Sequence, residues 1–472
     1  MDRQLGAAVG RAVVAHHRRR LRRTGWLGAF QTNGTKWAGG APPRDGCSVE
    51  VLVDGATALP RIASDVANAT SHVHLAGWYF SPEFELTRGE RPIVLRNLLS
   101  ELASRVDVRV LAWAGAPLPL FRPSRRNVRE MRDRLCRGTQ IRCVLDARER
   151  PLHYHHEKTI VIDDRVAFVG GIDLTAESGD RFDAHDHVAR ARIGWHDVTV
   201  RLEGPVVGDV ARHFRMRWHE VTGESLASPK PSMMAGDVRV QIVRTVPERV
   251  YEAVSGGDFG ILESYVAALS QARDFIYLEN QFLWSPEIIE ILREKLRRPP
   301  SDRFRILLVL PVKPATGRDD TRGALAELVE ADRDAGRFLA CTLYARHGAL
   351  SDPVYVHAKV GIVDDSWLTV GSANLNEHSL FNDTEMNVVT RDPRLARETR
   401  IRLWAEHLEL AVDELAGDPS EVIDSRWEPI SRDQLDRLSS SRPLTHRIVR
   451  LPGVSKRSER LLGPLQGLVV DG

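Results

Sequence analysis

The sequence predicts an α/β fold made of two similar sandwich lobes, each a mixed, mostly parallel sheet flanked by helices. Three observations lead to this prediction. Strand-like and helix-like segments alternate along most of the 472 residues. The same order of segments occurs twice, with an offset of about 200 residues, which indicates duplication. Each half also contains one copy of a histidine–lysine motif, and the two motif histidines are 201 residues apart.

The first half begins with a short strand and a helix, and then alternates between the two types. The segment at 72–80 is typical of a strand because it is rich in β-branched and aromatic residues. The predicted strands are 49–53, 72–80, 108–113 and 140–145, and the predicted helices are 54–69, 94–105 and 127–136.

The second half repeats this order. Its predicted helices are 259–272, 287–297 and 322–335, and its predicted strands are 275–281, 304–310 and 338–344. The segment at 222–237 is rich in Pro, Ser and Gly without periodicity, which indicates the seam between the halves. We therefore expect a basic N-terminal arm at 1–45, a first lobe at 46–225, a second lobe at 226–412, and a C-terminal appendage at 413–472 that packs on the second lobe.

The N-terminal arm carries a dense basic run from His16 to Arg23. Such a run is suited to peripheral contact with an anionic membrane or to contact with nucleic acid. Short basic runs are usually solvated, however, so the sequence favours a solvated, partly disordered arm.

Composition limits the class of protein. The net charge of +2, with 42% hydrophobic and 28% charged residues, does not mark the whole chain as a nucleic-acid binder. No apolar run reaches the roughly 18 residues of a membrane-spanning helix, and the stretch at 5–15 lacks the features of a signal peptide. The four cysteines form no Cys-x-x-Cys pair, which favours free thiols in a reducing compartment. We therefore expect a cytoplasmic protein.

The motif in each half consists of a strand, an Asp-Asp turn and a return strand that ends in two small residues. The first copy contains His156, Lys158, Asp163, Gly170, Gly171 and Asp173. The second copy contains His357, Lys359, Asp364, Gly371, Ser372 and Asn374. Because side chains alternate along a strand, the histidine and lysine of each copy lie on one face. The aspartates at the turns have the opposite parity, so we expect them to anchor structure rather than touch substrate.

These residue types suit phosphoryl chemistry. A histidine can attack phosphorus or carry a proton near neutral pH, and a neighbouring lysine supplies positive charge to phosphoryl oxygens. The small residues Gly171 and Ser372 allow a phosphate to approach the backbone, and Asn374 adds an amide donor. A lone histidine in a strand is usually a surface or core residue, but two matching copies in a duplicated frame indicate a paired active site.

From about residue 49 to about residue 410 the sequence resembles the phospholipase D superfamily, which is named for its His-x-Lys-x4-Asp motif. Finer features resemble the phospholipase D subgroup, and they lie at 155–158, 170–174, 181–183, 276–281 and 371–376. The resemblance implies that two lobes pack face to face around a pseudo-twofold axis and share one site. It also implies that His156 is the nucleophile, that His357 is the general acid and base, and that both motif lysines hold the phosphate.

Each histidine also needs an orienting carboxylate. By the resemblance, Asp183 and Glu385 are the candidates, since they lie 27 and 28 residues after the motif histidines. Asp186 and Asp197 remain competitors in the first half.

The two copies are not equivalent, and the chain departs from the subgroup at two positions. Phe182 stands where the subgroup usually has tryptophan, and His378 stands where it usually has arginine. The family's chemistry needs no metal or other cofactor. Strand alternation separates His153 and His155 from His156, so we expect no metal site in that cluster.

The leading hypothesis is a phosphodiesterase that acts on phospholipid headgroups through a phosphohistidine, by hydrolysis or by transphosphatidylation. A cardiolipin synthase-like phosphatidyltransferase is the nearest alternative, although such enzymes generally carry N-terminal membrane helices. A nuclease is disfavoured by the near-neutral charge. An inactive scaffold is disfavoured because both motifs are complete.

Overall fold

The computed structural model describes residues 2–31, 37–117, 123–150, 153–177, 179–189, 192–312, 318–348 and 350–451. The N-terminal segment forms helix α1 (Asp2–Thr24), which corrects the expectation of a partly disordered, solvated arm. Along one face of α1, His17, Arg20 and Leu21 are buried. Their i, i+3, i+4 spacing places them on one stripe of the helix, and this stripe packs on the rest of the molecule.

The first lobe contains β1–β8 and four helices. Its elements in chain order are β1 (Arg44–Val53), α2 (Gly55–Ala67), β2 (His72–Gly77), α3 (Leu95–Ala103), β3 (Asp107–Trp113), α4 (Arg125–Cys136), β4 (Arg142–Asp146), β5 (Thr159–Ile162), β6 (Val166–Gly170), β7 (Trp195–His196), β8 (Val198–Glu203) and α5 (Val207–Thr222). The sheet has the order β1-β8-β6-β5-β2-β3-β4.

The second lobe repeats this plan. Its elements in chain order are β9 (Val238–Val246), β10 (Asp258–Phe259), α6 (Gly260–Gln271), β11 (Phe275–Glu279), α7 (Pro286–Arg297), β12 (Arg305–Val309), α8 (Arg318–Asp332), β13 (Phe338–His347), β14 (Leu350–Pro353), β15 (Tyr355–Val356), β16 (Val360–Val363), β17 (Trp367–Gly371), β18 (Glu385–Thr390) and α9 (Pro393–Leu408). The sheet order is β9-β18-β17-β16-β11-β12-β13.

Each lobe is a mixed sheet, and the sequence-based prediction of duplicated α/β lobes is confirmed. The parallel pairings join β2 to β3 to β4 in the first lobe, and β11 to β12 to β13 in the second. The motif hairpins β5–β6 and β16–β17 add antiparallel strands beside them. Helices connect the parallel strands because a parallel pair needs a long crossover.

A hydrophobic core lies between the two sheets. One continuous cluster contains buried side chains of the first lobe, such as Val161 and Val200, together with Tyr277 and Val360 of the second. Each lobe has a further core between its sheet and its helices. The lobes therefore pack face to face, and β1 also pairs with strands of both sheets.

The C-terminal segment lies on the second lobe. It contains α10 (Pro419–Val422), α11 (Glu428–Ser439) and β19 (Ile448–Arg450). Strand β19 pairs with β13 antiparallel, with Cys341 opposite Arg450. Residues 452–472 of the predicted appendage are outside the described residues. Among the described helices, none combines the length and hydrophobicity that a bilayer crossing requires.

Candidate active site

The segment that precedes each motif strand crosses to the opposite lobe. The backbone N–H groups of His156 and Glu157 donate to the carbonyl of Thr384, at 2.9 and 3.0 Å. In the other lobe, the N–H groups of His357 and Ala358 donate to the carbonyl of His196, at 2.8 and 3.1 Å. These matched contacts hold each motif histidine against the other lobe.

The motif strands consequently begin later than their sequence suggests. Strand β5 begins at Thr159 and β16 at Val360, after the histidine and lysine of each motif. The backbone N–H groups of the two residues before each motif lysine bond to the opposite lobe instead of to a neighbouring strand of their own sheet. Periodicity alone does not reveal such a contact, because it reports only which side chains share a face.

His156 is oriented by a carboxylate of the second lobe. Its Nδ1 lies 3.0 Å from Oε1 of Glu385, which is fully buried. Glu385 also accepts hydrogen bonds from the hydroxyls of Ser372 and Ser379, the latter at 2.6 Å. These hydroxyl donors fix the carboxylate of Glu385. The carboxylate in turn holds the imidazole of His156 so that its Nε2 points away from Glu385.

His357 is oriented in the same way by the first lobe. Its Nδ1 lies 2.6 Å from Oδ2 of Asp197, and Oδ1 of Asp197 accepts from the N–H of Val198 at 2.8 Å. Gly171 stands where the second motif has Ser372, and a Cβ at this position would lie 2.0 Å from Oδ1 of Asp197. The first motif therefore needs glycine here, because the space of a side chain is occupied by the orienting carboxylate.

This arrangement corrects the expected pairing of carboxylates with histidines. Glu385 contacts His156 of the other lobe, not the histidine of its own motif. Asp183 contacts neither motif histidine but bonds to Nδ1 of His187 at 2.8 Å. The prediction assumed that the carboxylate follows the motif histidine at the same distance in both lobes, but the first lobe has a longer segment between its motif and β8. The carboxylate that the first lobe supplies is the competitor Asp197.

The two motif lysines and Asn374 each contact a polar side chain. Nζ of Lys158 lies 3.4 Å from Oδ1 of Asp173, whereas Nζ of Lys359 lies 3.4 Å from Oε1 of Gln281. Nδ2 of Asn374 donates to the same Gln281 oxygen at 3.3 Å. The first motif thus pairs its lysine with a carboxylate, and the second shares an amide oxygen between a lysine and an amide.

Electrostatics links the two motifs. Burial holds the pKa of His357 well below its usual value, and the charges of Lys359, Lys158 and Arg181 lower it further. Burial also lowers the pKa of Lys359 to about 7 and raises the pKa of Asp197 to about 6. Because positive charges from both motifs act on one imidazole, the region is suited to receive an anion.

The motif aspartates lie at the turns, away from the histidines. The carboxylate of Asp163 accepts the N–H groups of residues 70–72 at 2.7 to 2.9 Å, and Asp364 accepts those of residues 273–275 at 2.8 to 2.9 Å. Both residues have positive φ values, 54° and 50°, which aspartate tolerates better than most residues. In both lobes the aspartate ties the hairpin turn to the chain that enters the neighbouring strand.

Two residues of this region were missed as site residues by the sequence analysis. Gln281 joins Lys359 to Asn374, as described above. Arg181 is buried, and its guanidinium lies 3.5 Å from the centre of the Trp195 ring, which in turn packs against His357. For Asp197, which the sequence analysis kept only as a competitor, the available signal was its place directly before β8, because Glu385 begins the corresponding strand β18.

The departure at His378 lies beside the site. Nδ1 of His378 is 3.1 Å from Nδ1 of His153, and Oδ1 of Asp383 is 3.4 Å from the latter atom. Burial lowers the pKa of His153 to about 4 and raises that of Asp383 to about 7. At the second departure, the guanidinium of Arg88 covers the ring of Phe182 at 4.7 Å.

Among the described residues, three groups of buried or half-buried side chains have spacing that could hold a metal ion. They are His153, His378 and Asp383; Asp54, His187, His196 and Glu406; and His196, Glu279 and His407. In the last two groups, His196 donates or accepts through both ring nitrogens, to Asp54 at 2.9 Å and to Glu279 at 2.7 Å. His196 is therefore held between two buried carboxylates.

Comparisons with known proteins find similarity over part or most of the chain. A family model described as "Cardiolipin synthase, PLD-like domain" matches residues 265–405. Phospholipase D A of Dictyostelium discoideum is 26% identical over 78% of this chain, and phospholipase D1 of Schizosaccharomyces pombe is 25% identical over 79%. The chain spans 36% of the length of each of these two relatives. It spans 69% of phospholipase D alpha 1 of Oryza sativa, with 25% identity over 82% of the chain.

Two solved structures are more distantly similar. Phosphatidylserine synthase of Haemophilus influenzae Rd KW20 has a TM-score of 0.49 and 14% identity, over 75% of this chain and 84% of its own. Polyphosphate kinase of Porphyromonas gingivalis has a TM-score of 0.44 and 16% identity, over 75% of this chain and 47% of its own. A family match within the second lobe and relatives that align with more than three quarters of the chain agree with the duplicated motif, and the chain is similar to members of the phospholipase D superfamily.

Proposed function

We propose that this protein is a phosphodiesterase of the phospholipase D subgroup, which acts on phospholipid headgroups through a phosphohistidine intermediate. One observation carries the proposal: each motif histidine has its Nδ1 on a carboxylate of the opposite lobe, at 3.0 and 2.6 Å. A histidine held in this way presents Nε2 for attack on phosphorus or for proton transfer. The names of the phospholipase D relatives support the choice of a phospholipid substrate.

In the first step, Nε2 of His156 attacks the phosphorus of the lipid and the headgroup oxygen leaves. His357 donates a proton to that oxygen, so a neutral alcohol departs and a phosphatidyl group remains on His156. Lys158 and Lys359 stabilise the negative oxygens of the phosphoryl group in the transition state. The amide of Asn374 supplies a further hydrogen bond, and the small residues Gly171 and Ser372 leave space beside the backbone.

In the second step, neutral His357 removes a proton from water or from an alcohol, whose oxygen attacks phosphorus and releases His156. Water gives phosphatidic acid, and an alcohol gives a new phospholipid. Before substrate binds, burial and the neighbouring cations favour the neutral form of His357, because both lower its pKa. The negative charge of the bound phosphate offsets those cations, so substrate binding favours the protonated form that the first step needs.

The choice of His156 as the nucleophile is supported by access. Its side chain is 16% exposed, whereas that of His357 is 4% exposed. A nucleophile must meet a bulky phosphodiester, while a general acid and base must meet only one oxygen. The more accessible ring therefore suits attack.

A phosphatidyltransferase of the cardiolipin synthase type is the second candidate, and the description of the matching family model favours it. The chemistry is the same, with the hydroxyl of a second lipid as acceptor. Peripheral contact with an anionic membrane through the basic N-terminal segment remains part of the proposal, because the substrate resides in a bilayer.

A lipid assay with a nucleic-acid arm tests the proposal. The purified protein is given vesicles of phosphatidylcholine, phosphatidylethanolamine or phosphatidylglycerol with a short primary alcohol, and DNA in parallel. We expect a phosphatidyl-alcohol product that His156→Ala and His357→Ala both abolish, while the exposed control His347→Ala keeps it. Cleavage of DNA without turnover of any lipid would contradict the proposal.

A further inference from the structure

Helix α1 has an outer face that consists largely of arginine. From residue 11 onward, where burial is described, its exposed arginines are Arg11, Arg18, Arg19, Arg22 and Arg23. In the part of the chain that the structure describes, the last four form no ion pair with an acidic side chain. The helix thus presents unneutralised positive charge over its last two turns, on the side opposite the buried stripe.

The inner face of α1, formed by His17, Arg20 and Leu21, is attached to the segment at 378–383 by side-chain contacts. The guanidinium of Arg20 donates to the carbonyl of Phe381 at 2.7 Å and to Oδ1 of Asn382 at 2.8 Å. The ring of His17 stacks on the ring of Phe381, with 3.8 Å between their centres, and its Nδ1 lies 2.8 Å from Glu287. Three side-chain contacts therefore fix one turn of backbone to the helix.

Arg20 is also the centre of a buried ion pair. Its Nε donates to both oxygens of Glu248 at 2.8 Å, and Glu248 also accepts from Arg150 of the first lobe at 3.0 Å. A buried arginine whose partners are all in place is costly to move, because separation leaves an unpaired charge in the interior. The inner face is therefore a rigid attachment and not a loose contact.

The segment at 378–383 is followed closely in the chain by Glu385, whose carboxylate orients His156. The hydroxyl of Ser379 donates to Oε1 of Glu385 at 2.6 Å, and this same oxygen lies 3.0 Å from Nδ1 of His156. The carbonyl of Thr384 accepts the backbone N–H of His156 at 2.9 Å. Helix α1 is consequently joined to the histidine by one short turn of chain.

We propose that the outer face of α1 is a docking surface for an anionic phospholipid bilayer, and that its inner face places this surface at a fixed position relative to His156. This inference rests on the proposed function, because it fixes the position of the bilayer that holds the lipid substrate relative to the catalytic histidine. Basic residues near an anionic leaflet contribute about 1 kcal/mol each, or roughly a fivefold change in binding per residue. The arginine face fits the phosphate layer of a membrane by charge complementarity.

Vesicle sedimentation tests the docking surface. The full chain is mixed with vesicles of phosphatidylcholine that contain phosphatidylglycerol, and with vesicles of phosphatidylcholine alone. We expect the combined variant Arg18→Gln, Arg19→Gln, Arg22→Gln and Arg23→Gln to bind the anionic vesicles at least about tenfold more weakly. A control variant loses the same charge at four exposed arginines elsewhere, Arg126→Gln, Arg298→Gln, Arg394→Gln and Arg432→Gln, and should bind like the wild type.

Turnover of a monomeric short-chain phosphatidylcholine tests the inner face as a positioning element. The outer-face variant should keep its kcat, because no bilayer is involved. Arg20→Lys keeps the positive charge but loses the two guanidinium nitrogens that donate to Phe381 and Asn382. We therefore expect kcat to fall at least about tenfold with little change in KM. The thermal midpoint of Arg20→Lys is measured in parallel, and a loss of activity that tracks loss of folded protein would contradict a positioning role.

Equal binding of the outer-face and control variants to anionic vesicles would overturn the docking surface, even if lipid turnover is intact. Binding of the chain to DNA but not to vesicles, abolished by the outer-face variant, would overturn it as well. Failure of the proposed function has a different signature. In that case vesicle binding would still depend on the four arginines, but no phospholipid would be turned over.

Discussion

At the scale of single residues, the two histidine–carboxylate pairs are alike in geometry but are completed differently. Glu385 is held by the hydroxyl of Ser372, whereas Asp197 occupies the space beside Gly171 and bonds to a backbone N–H. The sequence difference between the two motifs thus has a packing cause. The two halves of the shared site therefore differ at the point where their carboxylates differ in length.

Exchange of the small residues tests this explanation. Gly171→Ser places a Cβ 2.0 Å from Oδ1 of Asp197, so the carboxylate must move away from His357. We expect kcat/KM to fall about a hundredfold, because a displacement of this size in an active site has that effect. Ser372→Gly, the matched exchange, removes one of several hydrogen bonds to Glu385 and should cost about tenfold or less. Equal losses for the two variants, measured by steady-state kinetics, would contradict the explanation.

The pH dependence of kcat/KM follows from two groups that touch the site. Asp197, with a pKa of about 6, must be deprotonated to accept the N–H of His357, so activity should fall as the pH drops below about 6. Lys359, with a pKa of about 7, must be protonated to bind phosphate, so activity should fall again above about 7. The measured values belong to the coupled group of charges. Asp197→Asn should lower the maximum and remove the acid limb; an unchanged acid limb would argue against this assignment.

At the scale of elements, each motif hairpin is secured twice. The first aspartate of the turn accepts backbone N–H groups, as described above. The second forms a two-pronged ion pair with an arginine of the helix that follows the last strand of the lobe: Asp164 with Arg215 on α5, and Asp365 with Arg400 on α9. These repeated contacts show that the turns are structural parts of the motif.

Removal of one arginine tests the role of these ion pairs in stability. Arg400 is fully buried, and Arg400→Ala leaves the carboxylate of Asp365 without its partner. We expect the free energy of unfolding to fall by about 2 to 3 kcal/mol, as for other partly buried ion pairs that lose one member. Urea titration measures this change. Arg394→Ala, on the exposed side of the same helix, should change it by less than about 0.5 kcal/mol; an equal effect of the two would contradict the role of the turn.

The elements themselves were largely predictable, because hydrophobic periodicity is a local property. The predicted helix at 287–297 differs from α7 by one residue at its start, and the predicted strand at 304–310 differs from β12 by one residue at each end. Contacts between lobes were not predictable in this way. The late start of β5, the paired strands β7 and β15, and the burial of α1 all depend on partners that are distant in sequence.

The same distinction between local sequence patterns and contacts between lobes applies to the residues of the candidate site. The motif histidines and lysines could be found from their repetition. The carboxylates could not be paired with them, because the contact crosses between lobes and the loop lengths differ. Asp183 has the expected spacing, but it serves the buried network around His187 instead.

At the scale of the whole molecule, the central claim is that two lobes form one site with two unequal histidines. A continuous core joins the sheets, each histidine is oriented from the other lobe, and charges from both motifs act on His357. Neither lobe contains a complete pair by itself. The proposed roles follow from this crossing: His156 forms the covalent intermediate and His357 moves the protons.

Burst kinetics with a phosphatidyl ester of p-nitrophenol test this claim most directly, because this leaving group needs no proton from the enzyme. Rapid mixing measures the p-nitrophenolate released in the first turnover and afterwards. The account predicts continuous turnover by the wild type, a burst of about one equivalent followed by near arrest for His357→Ala, and no burst for His156→Ala. Continuous turnover by either variant, or a burst from His156→Ala alone, would contradict it.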